Sequence, residues 1–326
     1  MTRLGYQIPN FTYPGTSRDC LFEVVVQQAK EAEVGGFDTV MVMDHFFQLP
    51  VLGPPDAEML ECYTLLSALA QHTNTVRLSA LVTGNTYRNP TLLAKTLTTL
   101  DVVSGGRAQL GIGAGWFELE HDSLGFEFGT FTDRFEKLEE ALLIIKGMFA
   151  GERPTVTGKW YRTTNAINEP LPLSRIPIMI GGSGEKKTLR LVAQYGDESN
   201  LICPLGDVSR KLDVLAAHCD AVGRDRSEIT VSLQANACIA PTHDEAVAEL
   251  DALLESRGID VSSMGAEDAD RIRALVTHGD PDEIAEDFSN RLALGVDGFT
   301  VNSVANGHIP GRVSLLGETL RKVIGA

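Results

Sequence analysis

A chain of 326 residues, 43% hydrophobic and 22% charged, has ordinary globular composition and room for two average domains or one α/β barrel. A formal net charge of −16 argues against a nonspecific polyanion binder, so an anionic ligand must be met by local cations or backbone amides. Five scattered cysteines without a C-x-x-C pair argue against a zinc ribbon or disulfide framework and for a reducing cytoplasm, the opening "MTRLGYQIPNF" has no signal-peptide core, and no apolar run approaches the roughly 20 residues of a membrane span.

Strand-like runs recur along the chain: "RLGYQI", "TVMVM", "VRLSALV", "AQLGIG", "IPIMIG", "SNLIC", "ITVSLQA" and "GFTVNSV". They are short and mostly near-continuous in apolar residues, the pattern of parallel strands covered on both faces. Helical periods lie between them. In "PTLLAKTLTTLDVVSGG", Leu93, Leu97, Leu100 and Val103 read as one helix face, and Asn89-Pro90 reads as its N-cap and first turn. Thr242-x-x-Glu245 reads as a capping box, and Asp280-Pro281-x-Glu283 as another helix start. Three helix exits, "GGFDTVMVM", "YGDESNLI" and "LGVDGFTVN", share a glycine, then an aspartate, then a strand. A left-handed glycine ending a helix just before a strand is half of a βαβ unit.

About eight such strands point to a (β/α)8 barrel, one domain over residues 1–326; a doubly wound sheet is the alternative. "GERPTVTGKWYRTTNAINEPLPLSR" reads as an insertion before strand five, and "RGIDVSSMGAEDADRIRALVTHG" as one after strand seven.

In a barrel, chemistry gathers at the C-terminal ends of the strands. Strand four ends in Gly111-x-Gly113-x-Gly115, with Trp116 where a dinucleotide fingerprint needs its third glycine, and it lies too late in the chain for that motif. These glycines read as bare backbone for a flat ligand, or as tight strand-to-loop geometry. Strand two ends in Asp44-His45, a proton-handling pair or a structural cap for the loop. Strand five ends in Gly181-Gly182-Ser183-Gly184, with a helix expected from Glu185 and with Lys186, Lys187 and Arg190 nearby: an anion site, or a glycine turn with solvated lysines. Glu120 and His121 line the mouth or a surface loop. Arg88, within Tyr87-Arg88-Asn89, contacts a phosphate or pairs with a carboxylate. His72, His218, His243, His278 and His308 read as structural or exposed, and no H-x-x-H, H-E-x-x-H or carboxylate triad points to a metal.

"AEVGGFDTVMVMDHF", "LSALVTGNTYRNPTLLAKTLTTLDVVSGGRAQLGIGAGWFELEH" and "IPIMIGGSGEKKTLRLVAQYGD", in that order, resemble the bacterial luciferase-like monooxygenase superfamily. "GIGAGWFELEH" is most similar to the actinobacterial branch that uses coenzyme F-420, an 8-hydroxy-5-deazaflavin. The resemblance implies a barrel with insertions, a homodimer, and an isoalloxazine-like ring at the C-terminal mouth. It implies a non-proline cis peptide at Ala80 and Leu81 behind the ring, with Thr83 beyond. It implies a ring wall at Gly113, Ala114 and Gly115 and a phosphate turn at Gly181, Gly182, Ser183 and Gly184. The catalytic candidates are His45, Asp44, Trp116 and His121. The implied activity is hydride transfer between F-420 and a small organic substrate. The alternatives are an FMN-dependent two-component monooxygenase and a non-catalytic flavin-binding protein. Lys186, Lys187 and Arg190 are candidates for the polyglutamate tail that F-420 has and FMN lacks. The chain departs from the sugar-phosphate-oxidising branch, which has Glu in place of Trp116 and a Trp soon after the Asp-His pair.

Overall fold

The computed structural model describes residues 3–325. Eight parallel strands succeed one another: β1 (Leu4–Ile8), β2 (Thr39–Val42), β3 (Arg77–Ala80), β4 (Ala108–Gly113), β5 (Ile178–Gly181), β6 (Glu198–Leu201), β7 (Thr230–Ile239) and β8 (Gly298–Asn302). Each pairs with the next. β8 returns to β1 with Leu4 beside Phe299, so the sheet closes into a (β/α)8 barrel rather than an open doubly wound sheet.

Period-2 alternation sorts the strand residues. Leu4, Tyr6, Val40, Val42, Leu78, Leu110, Ile112, Ile178, Ile180, Leu233, Phe299 and Val301 pack outward into one large core under the helices. The alternate positions face the lumen, and on β6–β8 these are polar. Asn200 donates to Ser232 and Thr300, Thr300 to Gln234, Gln234 to Gln7, and Asn302 also to Gln7. The runs read as mostly near-continuous in apolar residues therefore carry a hydrogen-bonded polar interior, which satisfies most of these buried groups.

The glycine-aspartate repeat has a bonding function at the barrel base. Asp38 accepts from the Leu4 N–H, Asp197 from Ile178 and Asp297 from Val231. Each of these aspartates also donates its own N–H to the carbonyl of that same residue. Each thus clamps the start of the preceding strand, at its first residue in β1 and β5 and its second in β7. Gly36 and Gly295 are left-handed as expected, but Gly196 has φ −83°, because its helix runs into the strand without a reversal.

Other local expectations shift for physical reasons. In the helix Pro90–Ser104, Asn89 caps the Thr91 N–H, but Val103 is 43% exposed. At 100° per residue, Ser104 rather than Val103 returns to the face begun at Leu93. Thr242 caps Glu245 in one direction only, since Glu245 stays hydrated at the surface, while Asp280 and Glu283 form the reciprocal box.

A hairpin, Val156–Thr157 with Arg162–Thr163, lies between the helix Phe131–Phe149 and β5. After β7 come the helices His243–Ser256 and Ala266–Arg273 and a short strand, Thr277–Gly279, that pairs with the end of β7. This excursion has its own small core of Cys238, Leu250, Leu254, Val261, Ala269 and Ala305. No helix among the described residues is long and apolar enough to cross a membrane.

Candidate active site at the barrel mouth

β2 releases the chain at Val42, and two residues later Asp44 and His45 diverge. Asp44 is buried and bound by both terminal nitrogens of Arg88, one at 2.8 Å, and by the Gly84 N–H at 3.2 Å. Arg88 also reaches Glu61 at 2.8 Å. Burial pushes the Asp44 carboxyl up, and the Arg88 charge acts against that. Asp44 is thus an anchor that ties the loop after β2 to the loop after β3, and Arg88 is committed to carboxylates.

His45 turns toward a different carboxylate. Its Nδ1 lies 2.9 Å from Glu120, which is fully buried. Glu120 also accepts the N–H of Phe46 and of Phe47, the latter at 2.8 Å, and the hydroxyl of Tyr87. Burial alone would raise the Glu120 carboxyl, but the bonds from His45 and Tyr87 outweigh it and hold the group below its ordinary value. An ionised carboxylate only accepts, so Nδ1 carries the hydrogen. Nε2 has no hydrogen-bond partner among the described residues. The His45 ring stands edge-on to Trp116 and Phe117, at centroid distances of 5.8 and 5.7 Å. Trp116 is 60% exposed at the rim.

His121 does not join this group. It is fully buried, with Nδ1 at 2.8 Å from the Phe117 carbonyl and Nε2 at 2.7 Å from the Thr86 hydroxyl. A carbonyl only accepts, so Nδ1 donates and Nε2 accepts from Thr86. The ring pins the Trp116–Phe117 turn and offers no nitrogen to the mouth, because the helix Glu118–Leu124 turns it inward.

The non-proline cis peptide is Leu81–Val82, one residue beyond the expected place. Leu81 still donates to the Val42 carbonyl at 2.8 Å, so pairing with β2 persists through Leu81 and the backbone departs only afterwards. Ala80 packs in the outer core, and Thr83 is buried against the Tyr63 hydroxyl, so neither faces the mouth. Leu81 meets Met41 and Met179 in the lumen. Val82 explains two of the glycines: a Cβ on Gly113 would lie 3.0 Å from its Cγ2, and one on Gly181 2.8 Å from its Cγ1. Ala114 is half-buried against the core, while Gly115, at φ +82°, sits where a Cβ would strike the Thr86 hydroxyl. These strand ends are bare first to admit the β3 bulge, and the bulge then forms the face behind the mouth.

The glycine turn after β5 differs from the expected anion cradle in detail. The helix starts at Thr188, not Glu185, because Glu185 is held by Lys211 at 2.7 Å and by Arg210. The Gly182 N–H is used by the Asn200 carbonyl, and the Ser183 hydroxyl bridges the backbone of Ile202. Arg190 is gripped by Glu139 through two bonds of 2.9 and 2.7 Å, and Lys187 lies over the Phe131 and Phe135 rings. What remains for an anion are the N–H groups of Ser183 and Gly184, without acceptors among the described residues, and exposed Lys186. The Asn302 Oδ1 is another buried polar atom without a partner, on the lumen side of β8. No cluster of three or more metal-binding side chains occurs among the described residues.

Sequence reading passed over Tyr87 as a partner of Glu120, and over Gln7, Gln234 and Asn302. The signal for Gln7, Gln234 and Asn302 was present as polar residues at lumen-facing, period-2 positions; Tyr87, in a turn after β3, had none. A cavity of about 970 Å³ opens between the loop after β2, the end of β7 and the excursion that follows β7, with Phe117, a ring neighbour of His45, in its lining.

The sequence profile of the luciferase-like monooxygenase family matches residues 2–298. An F420-dependent glucose-6-phosphate dehydrogenase of Microbacterium testaceum (strain StLB037) is 31% identical over 222 residues, 66% of this chain and 64% of that one, so the match spans less than two thirds of that relative's length. A 5,10-methylenetetrahydromethanopterin reductase of Methanolobus tindarius is 26% identical over 91% of this chain and 95% of that one. The solved structure of an F420-dependent secondary alcohol dehydrogenase in complex with an F420-acetone adduct shares the fold at TM-score 0.79 and 20% identity, with 99% of both chains covered.

Proposed function

The chain belongs to the luciferase-like monooxygenase family, and from that premise we propose that it is an oxidoreductase moving a hydride between coenzyme F-420 and a small organic substrate at the barrel mouth. The coenzyme is carried over from relatives whose names give them as F420-dependent. The residues present fit such a group. The bulge at Leu81–Val82 offers a flat backing, the free N–H groups of Ser183 and Gly184 with Lys186 offer an anion site, and Asn302 Oδ1 offers an acceptor. When bound, the deazaflavin supplies the hydride-accepting or hydride-donating carbon.

The observation that carries the reading is the His45–Glu120 pair. With Nδ1 held by an ionised carboxylate, Nε2 takes the hydroxyl proton from a substrate whose carbon gives up hydride, and returns it in the reverse direction. Trp116 and Phe117 wall His45 on the rim side and limit its contact with water. Asp44 and Arg88 position the two loops and take no part in proton transfer. The five cysteines are free, in keeping with a cytoplasmic enzyme. Leu92, Val103, Leu143, Ile167, Leu171 and Leu173 are exposed on or beside the Pro90–Ser104 and Phe131–Phe149 helices, and this supports a homodimer joined through that face.

A titration of the purified protein tests the assignment. Micromolar or tighter binding of F-420 with much weaker binding of FMN is expected. Equal or tighter FMN binding overturns it in favour of a flavin monooxygenase.

A further inference from the structure

The cavity of about 970 Å³ lies at the upper end of the range for small-molecule pockets, larger than a sugar or short alcohol requires. Its lining is apolar apart from Gln48, Asn236, Ser256 and Arg257. Leu81, Val82, Gly113 and Gly181, the backing of the mouth, do not contribute to it, so it is separate from the surface assigned to the ring. Its wall includes Phe117, whose ring is 5.7 Å from that of His45. Another part of its wall carries Arg257, at the exit of the helix His243–Ser256.

Arg257 is bonded unlike most of the half-buried arginines of this acidic chain, although Arg77 and Arg134 also make no ion pair among the described residues. Arg88, Arg190, Arg273 and Arg312 each grip a carboxylate. Arg107 has none but donates to five carbonyl and hydroxyl acceptors. Arg257 makes one hydrogen bond, from Nη1 to the Val51 carbonyl at 3.0 Å, and no ion pair among the described residues. Burial without a compensating carboxylate holds its guanidinium below the ordinary value. A guanidinium carries five donors in a fork shaped for a carboxylate, and a partly desolvated one left unpaired is costly.

We propose that this cavity binds a carboxylic acid with an extended apolar body, the carboxylate on Arg257 and the apolar chain running along the cavity toward Phe117 and His45. That this occupant is the substrate rests on the oxidoreductase reading; that it binds here does not. The apolar walls supply area-dependent affinity, and the single cation supplies orientation and selection for the anion.

The test is calorimetric titration of the full chain, without coenzyme, with sodium decanoate and with 1-decanol. The wild type is expected to bind decanoate at least tenfold tighter, the scale of a charge-assisted bond against a neutral one. Arg257→Gln retains a donor for the Val51 carbonyl but loses the charge, and should bind the two probes alike at an unchanged melting temperature. Arg257→Lys should keep most of the preference. Leu253→Trp, which fills the cavity, should weaken both probes. Equal binding of acid and alcohol by the wild type, a preference that survives in Arg257→Gln, or tight decanoate binding by Leu253→Trp would each overturn the proposal. F-420 titrated in parallel separates the two readings. Arg257-dependent decanoate binding without F-420 binding leaves the acid site standing and removes the oxidoreductase; F-420 binding with decanoate indifferent to Arg257 does the reverse.

Discussion

Replacing Glu120 by Gln removes one charge from a fully buried position and changes few atoms. In the wild type this carboxylate accepts from His45 Nδ1, the Phe46 and Phe47 N–H groups and the Tyr87 hydroxyl. Bonds to a charged acceptor are worth about 1.5–3 kcal/mol and neutral ones about 0.5–1.5. The amide keeps one good acceptor oxygen, so we expect a loss of about 2–4 kcal/mol. With an unfolding entropy of about 2.1 cal/mol/K per residue, a chain of this length loses about 1.5 °C per kcal/mol, giving a fall of about 3–6 °C. The difference should shrink in acid. The folded-state carboxyl sits below its ordinary value, so its contribution is present above the ordinary carboxylate range and is lost as pH falls toward the folded value. The sharper readout is the imidazole. In the variant, the amide N–H₂ can face Nδ1, which then accepts, and the hydrogen moves to Nε2. Nitrogen-15 NMR of the His45 ring distinguishes the two tautomers without a substrate. With a substrate in hand, turnover should fall by about 10²–10⁴-fold. A stable variant that keeps its hydrogen on Nδ1 and turns over normally would refute a proton-transfer role for the pair.

Gly181→Ala forces a methyl to within 2.8 Å of Val82 and should cost about 1–3 kcal/mol; Val82→Ala in the same chain should recover part of this, and additive thermal melts would disprove the contact. Arg88→Met strands the Asp44 carboxyl in the interior, with a loss of about 3–5 kcal/mol in denaturant titration, largely restored by adding Asp44→Asn; equal losses in the single and double variants would refute the pairing. Glu33 accepts the N–H groups of Asn74, Thr75 and Val76 and the Thr75 hydroxyl, bonds that outweigh partial burial and bring its carboxyl from 4.5 to about 2. Glu33→Gln should cost about 1–2 kcal/mol at neutral pH once solvent screening is allowed for, with the difference vanishing between pH 4.5 and 2; a pH-independent difference would exclude the charge as its source.

The barrel was legible in the sequence because its determinants are local. Strand length, helix period and the glycine-aspartate exits each depend on residues a few positions apart, and eight repeats of one unit leave few ways to close a sheet. The same holds for His45, placed at a rim simply because four apolar strand residues precede it. What the sequence left open were the partners of charged groups, which depend on separations of tens of residues. Asp44 and His45 are neighbours in the chain yet serve different carboxylate systems, because Arg88 lies 44 positions from one and Glu120 lies 75 from the other. Glu120 and His121 are likewise adjacent. The helix Glu118–Leu124 turns the Glu120 carboxylate onto the His45 ring and seals His121 between Phe117 and Thr86. The lysines and arginine after β5 looked alike as cations; Glu139 removed Arg190 from the anion site, and aromatic rings cover Lys187. Arg257 gave no sign in the sequence at all, since a guanidinium without an ion pair among the described residues is defined by what distant segments fail to place beside it. Periodicity is written along the chain, whereas desolvation and charge pairing arise only when distant segments meet, and those alone decide which rim residues are anchors and which are free to react.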